Sequence, residues 1–415
     1  MDSQPLPSHL KHNLIVNILD GAFFGLAIGF ASYVTVIPLF VNSLTDSATL
    51  VGLVPAIHAV GWQLPQLFTA ARVTRLRRVK PMVMWMTVQE RLPFIGMAII
   101  AWFVPSLEKK AVLLGIFFLL IWQGLGAGVT ANPWQIMISR LIPSNLRGTF
   151  FGLQAAAAYL FSSGSAIAAG WILEHWSYPT NYVLCFLLAS IALAVSLVFL
   201  GMTKEMDSQI ITQPGLQQTF WKDILRILRE EVDFRGYLLV RMLLAFATLA
   251  FAFYTVYAVR VHGVSEARIG LMTGIYMGTQ IAANPILGWL GDRFGHRPVL
   301  VFGVFTCIAS ALIAWIAPSP NWFFLVFILA GISNVSVWTI GLAITLEFGN
   351  ESEKPAYVGL INTLVAPATI AAPLLGGWLA DRAGYQFTFG ISIVFSLVTL
   401  LVFYTFKQRS KEIQQ

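Results

Sequence analysis

The sequence predicts an all-α membrane protein with twelve transmembrane helices in two pseudo-symmetric six-helix bundles. Three observations predict it. Of 415 residues, 57% are hydrophobic and only 11% are charged, whereas a soluble domain carries about 25% charged residues. Apolar stretches recur from about residue 14 to about residue 406. A stretch of about 20 apolar residues crosses the hydrocarbon core as a helix, because lipid offers no partner to backbone amides. Third, the two halves of the chain repeat each other. A membrane β-barrel is excluded, since its strands read as alternating segments of about ten residues.

The spans fall at about 14–41, 48–70, 81–104, 110–136, 148–173, 179–202, 236–260, 268–290, 297–316, 321–346, 356–380 and 385–406. Short connections such as Asn42-Ser43, Pro105-Ser106 and Pro318-Ser319-Pro320 carry turn residues. Residues 1–13 are polar and lack the basic n-region and cleavage site of a signal peptide, so the first span is expected to be retained. Residues 203–235 are the longest polar interruption. They divide an N-terminal bundle, 1–202, from a C-terminal bundle, 236–415. Within this linker Phe220, Ile224, Ile227 and Leu228 recur at helical spacing, which suggests a short helix on the membrane surface.

With both termini cytoplasmic, nineteen Lys and Arg residues fall in cytoplasmic segments and five in outer loops. The positive-inside rule therefore sets the orientation, in a cell (plasma or inner) membrane. The same clustering explains the net charge of +7 without a nucleic-acid partner. Cys185 and Cys307 lie inside apolar stretches and read as small core residues. There is no metal-spaced Cys/His cluster, no ATP-binding loop and no nucleophile–base arrangement. A non-enzymatic protein without a cofactor is expected.

The repeat has two layers. Tyr33-Val34-Thr35-Val36 in span 1 matches Tyr254-Thr255-Val256 in span 7, and Val51-Gly52-Leu53 matches Ile269-Gly270-Leu271. Late in each half, the run from Gly170-Trp171 through Glu174 to Tyr178 matches that from Gly377-Trp378 through Asp381 to Tyr385. Inside the C-terminal half, Gly288-Trp289-Leu290-Gly291-Asp292-Arg293-Phe294-Gly295 matches Gly377-Trp378-Leu379-Ala380-Asp381-Arg382-Ala383-Gly384. One copy ends span 8 on the cytoplasmic side and the other ends span 11 on the outer side. One motif at opposite faces means a three-helix unit inserted twice in opposite senses.

Nested three-plus-three repeats within two six-helix halves resemble the architecture of major facilitator superfamily transporters. Gly288-x-x-x-Asp292-Arg293-x-Gly295-x-Arg297 resembles the signature loop of that family, at the family's position between the second and third helices of a half. The resemblance implies that Asp292 accepts hydrogen bonds from the N-terminus of the half's fifth helix, here starting near Pro355, and latches an outward-open state. Arg293 and Arg297 would complete a charge network, with Glu347 as acidic partner. The N-terminal copy, Ala70-Ala71-Arg72-Val73-Thr74-Arg75-Leu76-Arg77-Arg78, departs from the pattern: Thr74 replaces the acid.

Asp20, Glu90, Arg91 and Arg241 are the ionisable residues well within spans. A charge at mid-membrane costs at least about 2.5–3.5 kcal/mol, which makes each a functional candidate. Asp20 and Arg241 occupy similar depths in the first helix of each half. They are expected either to face each other across a central cavity or to reach the interface separately. Glu90 and Arg91 are adjacent, so they point about 100° apart and each needs a partner on another helix. Among uncharged polar residues, Gln123, Tyr159, Gln280, Asn334 and Trp338 lie at mid-depth, with His58, Gln63, Tyr276 and Asn362 near them. That set suits a neutral or amphiphilic organic solute rather than a multiply charged anion. Pro133, Pro367, Pro373 and Gly124-x-Gly126-x-Gly128 are places where helices bend.

The resemblance implies a monomeric secondary transporter working by alternating access, driven by a proton gradient or by the gradient of the solute itself. The alternatives are a lipid or lysolipid flippase on the same scaffold and a non-transporting membrane sensor.

Overall fold

A computed structural model describes residues 9–65, 76–205, 226–345, 347–348 and 354–413, and among them the regular structure is helical, without a strand. The first half holds α1 (Leu10–Phe30), α2 (Val36–Leu44), α3 (Ala48–Gln63), α4 (Lys80–Trp102), α5 (Lys109–Leu141), α6 (Ser144–His175) and α7 (Thr180–Gly201). The second holds α8 (Val232–Ala247), α9 (Tyr254–His262), α10 (Glu266–Phe294), α11 (His296–Ile316), α12 (Trp322–Val335), α13 (Gly341–Thr345), α14 (Lys354–Ala383) and α15 (Tyr385–Ile413). A helical segment stands at each predicted span. Nine stretches among the described residues are long and apolar enough to cross a membrane. Three of the predicted spans, at α3, α4 and α10, fall short of that measure; α3 ends beside residues outside the description and α4 carries the charges of Glu90 and Arg91. The N-terminal motif copy up to Arg75, and Phe220 and Ile224 of the linker, lie outside the described residues.

Spans 1 and 7 differ from expectation, because each is broken. Between α1 and α2, the Ser32 hydroxyl accepts from Val34 N (3.2 Å) and competes with the helical ladder. Between α8 and α9, Leu249–Ala252 form a 3₁₀ turn. Span 10 is also interrupted, by a π-helical stretch over Ser336–Ile340.

Helices meet through small residues. With no hydrophobic drive between helices in lipid, close backbone approach supplies the contact. Along α1, Gly21, Gly25 and Gly29 form a one-sided stripe against α6; a Cβ at Gly25 would stand 2.2 Å from the Ala158 carbonyl oxygen. In the same way Gly61 of α3 lies on Gly124 of α5. The two halves meet where α6 packs on α10 and α3 packs on α14. A Cβ at Gly170 would lie 2.5 Å from Gly270 Cα, and one at Gly377 would lie 2.3 Å from Thr49 Cα.

Both ends of the first bundle's chain share one face, here the termini face: His12 Nε2 is 2.8 Å from Met202 O, and Asn13 Nδ2 donates to Lys204 O (3.0 Å). Glu205 caps the start of α4 there, accepting from Val79 N (2.9 Å) and Lys80 N (2.7 Å). Asp292 and Asp381 lie on opposite faces, as the inverted repeat requires. Asp381 sits against the start of α3, while Asp292 lies at the far end of the 29-residue α10.

The apolar core is unevenly shared. Toward the face opposite the termini, one cluster holds residues of both halves, among them Phe40, Phe94, Phe186, Phe253 and Phe323. Toward the termini face the core divides. One cluster belongs to the second half, around Phe234, Leu244 and Tyr357, and another to the first, around Val83, Ile138 and Phe150. The halves are fused at one face and separate at the other.

Candidate functional site

A cavity of about 220 Å³ lies between the halves, below the fused core. At about 30 Å³ per liquid water it holds the volume of roughly seven waters, enough for a small organic molecule. Arg241 and Ala245 of α8, Thr248 just past its end and Ala252 of the 3₁₀ turn line it, and α3 contributes Pro55, Ala59 and Gln63. Asn334, Val337 and Trp338 from span 10 and Asn362, Val365 and Thr369 from α14 complete the wall. Pro55, Phe251 and Ala252 also belong to a second, smaller chamber of about 70 Å³, lined further by Val34, Tyr254, Tyr276 and Phe327. The site therefore has a polar end near Arg241 and an apolar aromatic end beneath the fused core.

Of the predicted site residues, Arg241, Asn334 and Trp338 reach this wall. Gln280 stands behind it, and its Oε1 accepts from Asn334 Nδ2 (3.2 Å), which orients that amide. Gln123 is fully buried against His58, 3.0 Å from its Nδ1, and His58 in turn stacks on Tyr33 at 3.9 Å. Tyr159 packs on the shared apolar core. Thr248 escaped sequence reasoning, because a lone threonine in an apolar helix carries no periodic signal.

The facing of Asp20 and Arg241 is not found. Asp20 turns into its own bundle, where Arg91 Nη2 lies 3.2 Å from its Oδ1 and Ser196 Oγ donates at 2.5 Å. Arg91 also donates to Leu193 O (2.9 Å). Two buried charges satisfy each other at far lower cost than either would alone. Glu90, 7% exposed, points the other way round α4 toward α5, where Gly126 lets the helix backbones approach.

Arg241 is left as the cavity's cation. It is 8% exposed and donates to the Val337 carbonyl in the π-helical stretch. Tyr237, one turn earlier, donates to Gly341 O (2.5 Å). A π-bulge commonly marks a functional site; here α8 side chains bond one carbonyl within the stretch and one just past it. Nε of Arg241 is buried without an acceptor.

At the face opposite the termini, acids reach across the boundary between halves. Asp381, at the end of α14, accepts from Ala48 N (2.6 Å), Thr49 N (3.1 Å), Ser47 Oγ (3.1 Å) and Thr49 Oγ1 (2.7 Å) at the start of α3. Glu174, its counterpart in the repeat, accepts from Ala267 N (2.9 Å) at the start of α10. Each acid meets a helix N-terminus, where free amides and the helix dipole favour negative charge. The matched threonines of the two broken helices also cross over: Thr35 Oγ1 lies 2.5 Å from Thr273 Oγ1, and Thr255 donates to Val34 O (3.0 Å). Arg260 adds bonds to Thr45 O and Asp46 O, both 3.1 Å. These cross-half contacts all lie toward the same face. The signal for the acid contacts stood in the sequence, as an acid within each repeated Gly-Trp run, but its partner was a matter of tertiary structure.

At the termini face the expected network around the signature loop takes another form. Asp292 is exposed and sits 3.5 Å from His296 Nε2, and His296 Nδ1 is 2.8 Å from Glu347 Oε1. Thus a histidine, rather than Arg293 or Arg297, pairs with Glu347. Arg293 lies over the Trp289 ring, its i−4 neighbour on that side of the helix, and over the Phe294 ring, each 5.4 Å away. Arg297 is exposed, and Gly288 has open space beside it. Gly295, like Gly384 in the second motif copy, has positive φ (89° and 87°), which ends its helix where a side chain would be strained.

Residues 250–415 match the sequence profile of the Major Facilitator Superfamily. An uncharacterized MFS-type transporter of Schizosaccharomyces pombe is 28% identical over 137 residues, 32% of this chain and 30% of that protein. The MFS-type transporter ppzB of Metarhizium majus is 30% identical over 128 residues, 30% of this chain and 27% of its own. The aligned part thus spans less than a third of these two relatives. Among solved structures, a nucleoside transporter NupG variant superposes with a TM-score of 0.73 at 10% identity, covering 96% of this chain and 99% of that one. A D-xylose–proton symporter does so at 0.70 and 16% identity, covering 96% and 98%.

Proposed function

We propose that this chain, an integral membrane protein of the Major Facilitator Superfamily, is a secondary transporter that moves a small amphiphilic organic solute by alternating access. Its place in the superfamily rests on the matched profile over 250–415 and on the superfamily fold over nearly the whole chain. One observation carries the transport reading: the halves share one core at the face opposite the termini and have separate cores at the termini face, with the cavity between. A fused end and a divided end around a central cavity describe one end state of a rocking pair of bundles. With both termini cytoplasmic, as the distribution of Lys and Arg supports, this state faces inward.

The acid contacts of Asp381 and Glu174, with the close glycine crossings beside them, hold the outer end shut. Opening it means exchanging these contacts for others at the inner face, where the signature loop lies. The driving force we assign to proton movement through Glu90. It is a buried carboxylate with no ion pair among the described residues, and burying a charge without a counter-ion is costly unless a proton neutralises it. Each chain encloses its own cavity between two bundles and acts as a monomer.

The test is a thermal-shift screen of the purified full chain against sugars, nucleosides, amino acids, drugs and lipids, followed by flux of each binder in proteoliposomes. At least one binder is expected to cross the membrane, and to accumulate when a pH gradient is imposed. Binders that never cross would remove the transport assignment. Crossing that ignores the gradient would remove the proton assignment alone.

A further inference from the structure

The cavity contains a charge that the protein itself leaves unmatched. Arg241 lines the wall, is 8% exposed, and among the described residues has no carboxylate within 4.0 Å. Its acceptor there is the neutral carbonyl of Val337, and its Nε–H is buried without a partner. The acid at similar depth in the other half, Asp20, is occupied by Arg91. A buried cation without a counter-ion is costly, and buried donors are nearly always satisfied in proteins. The Val337 carbonyl holds the guanidinium in place rather than neutralises it. Across the same cavity Gln63, 4% exposed, has its Oε1 buried without a partner. At the far end the chamber of Phe251, Tyr276 and Phe327 is apolar.

We infer that the solute is an organic monoanion, whose carboxylate docks on Arg241 and whose apolar end passes Gln63 into the aromatic chamber. The inference rests on the transport reading and names the substrate class for the same cavity. A guanidinium offers side-by-side donors that match the two oxygens of a carboxylate, a fit lysine does not reproduce. One cation in the wall sets one negative charge as the complement. A dianion would bring a second charge into a cavity with no second cation among its lining residues.

The experiment uses matched probes on the full chain in lipid nanodiscs: phenylacetate, indole-3-acetate and octanoate, each against its own primary amide and its methyl ester. Thermal shift reads binding, and counterflow in proteoliposomes reads transport. At least one acid is expected to stabilise the wild-type protein, and its amide and ester to bind at least tenfold more weakly. R241K should weaken that acid about tenfold, and R241Q should erase the difference between acid and amide. The acid-against-amide comparison on the wild type needs no variant to fold. Amides that bind as well as their acids, no response to any acid, or an acid preference that survives in R241Q would each overturn the inference. Counterflow of neutral members unaffected by R241Q would overturn it while leaving the transport reading intact.

Discussion

Replacing Asp381 by Asn tests the reading of the closed face most directly. The carboxylate takes one donor on Oδ1 and three on Oδ2. Asparagine keeps one oxygen, so in either orientation its amide nitrogen must face backbone or hydroxyl donors at the start of α3, and the charge opposite the helix dipole is gone. Loss of a helix-capping acceptor costs about 0.5–2 kcal/mol, and loss of a charge at a helix N-terminus costs about 0.3–1 kcal/mol at an exposed site. Asp381 is exposed, so screening by salt trims the electrostatic part. We take about 1–2 kcal/mol for the whole, which changes the ratio of closed to open outer ends about 5–30-fold. Glu174→Gln acts on the other crossing, far enough away to add independently. The assay is a distance measurement between spin labels at Tyr178→Cys and Val261→Cys, exposed positions on opposite halves at this face, with Cys185 and Cys307 replaced by Ala. The double variant D381N/E174Q should move population to longer distances, and more so in low salt than D381E. An unchanged distance distribution in the double variant, at an unchanged melting temperature, would refute the claim that these acids hold the face closed.

Other outcomes follow from the same geometry. Gly170→Leu should open that face more strongly than D381N, since even a Cβ at Gly170 stands 2.5 Å from Gly270 Cα; the same spin-label pair reads it. Arg91→Gln should destabilise the folded protein by about 3–5 kcal/mol by stranding the buried Asp20 carboxylate. The double variant D20N/R91Q should recover much of that loss, measured by unfolding in a double-mutant cycle. Glu90→Gln should leave the melting temperature near the wild-type value but abolish the response of flux to a pH gradient, with counterflow retained. Gln280→Ala should weaken solute binding through the Asn334 amide it orients, without a change in which solutes bind; titration by thermal shift checks it.

The sequence carried the fold further than the site. Repeated apolar stretches, the matched runs around Tyr33 and Tyr254, and the motif copies at Asp292 and Asp381 required helices in inverted pairs, and helices stand at each place. The breaks in spans 1 and 7 were not legible. An interruption by Ser32 or by a 3₁₀ turn at Leu249 barely alters hydropathy over a window of 20 residues. The site residues divided for a similar reason. Depth along a helix can be counted from sequence, and Asp20, Arg91 and Arg241 are all buried in the structure. Direction around the helix axis cannot be counted once nearly every face is apolar, because no hydrophobic stripe marks inside from outside. So Asp20 and Arg241, similar in depth, turn to different neighbours, and Glu347 meets His296 where an arginine was expected.

Sequence alone therefore determined where the long apolar helices lie, the internal symmetry, and the small set of charges buried among them. Each of these follows from local composition against a solvent that tolerates no unpaired backbone. Tertiary structure decided which buried charge is paired and which faces the cavity without a counter-ion among the described residues, and which helix end each repeated acid caps. Those outcomes depend on contacts between residues up to 334 positions apart, set by rotation and register of packed helices that no local pattern records.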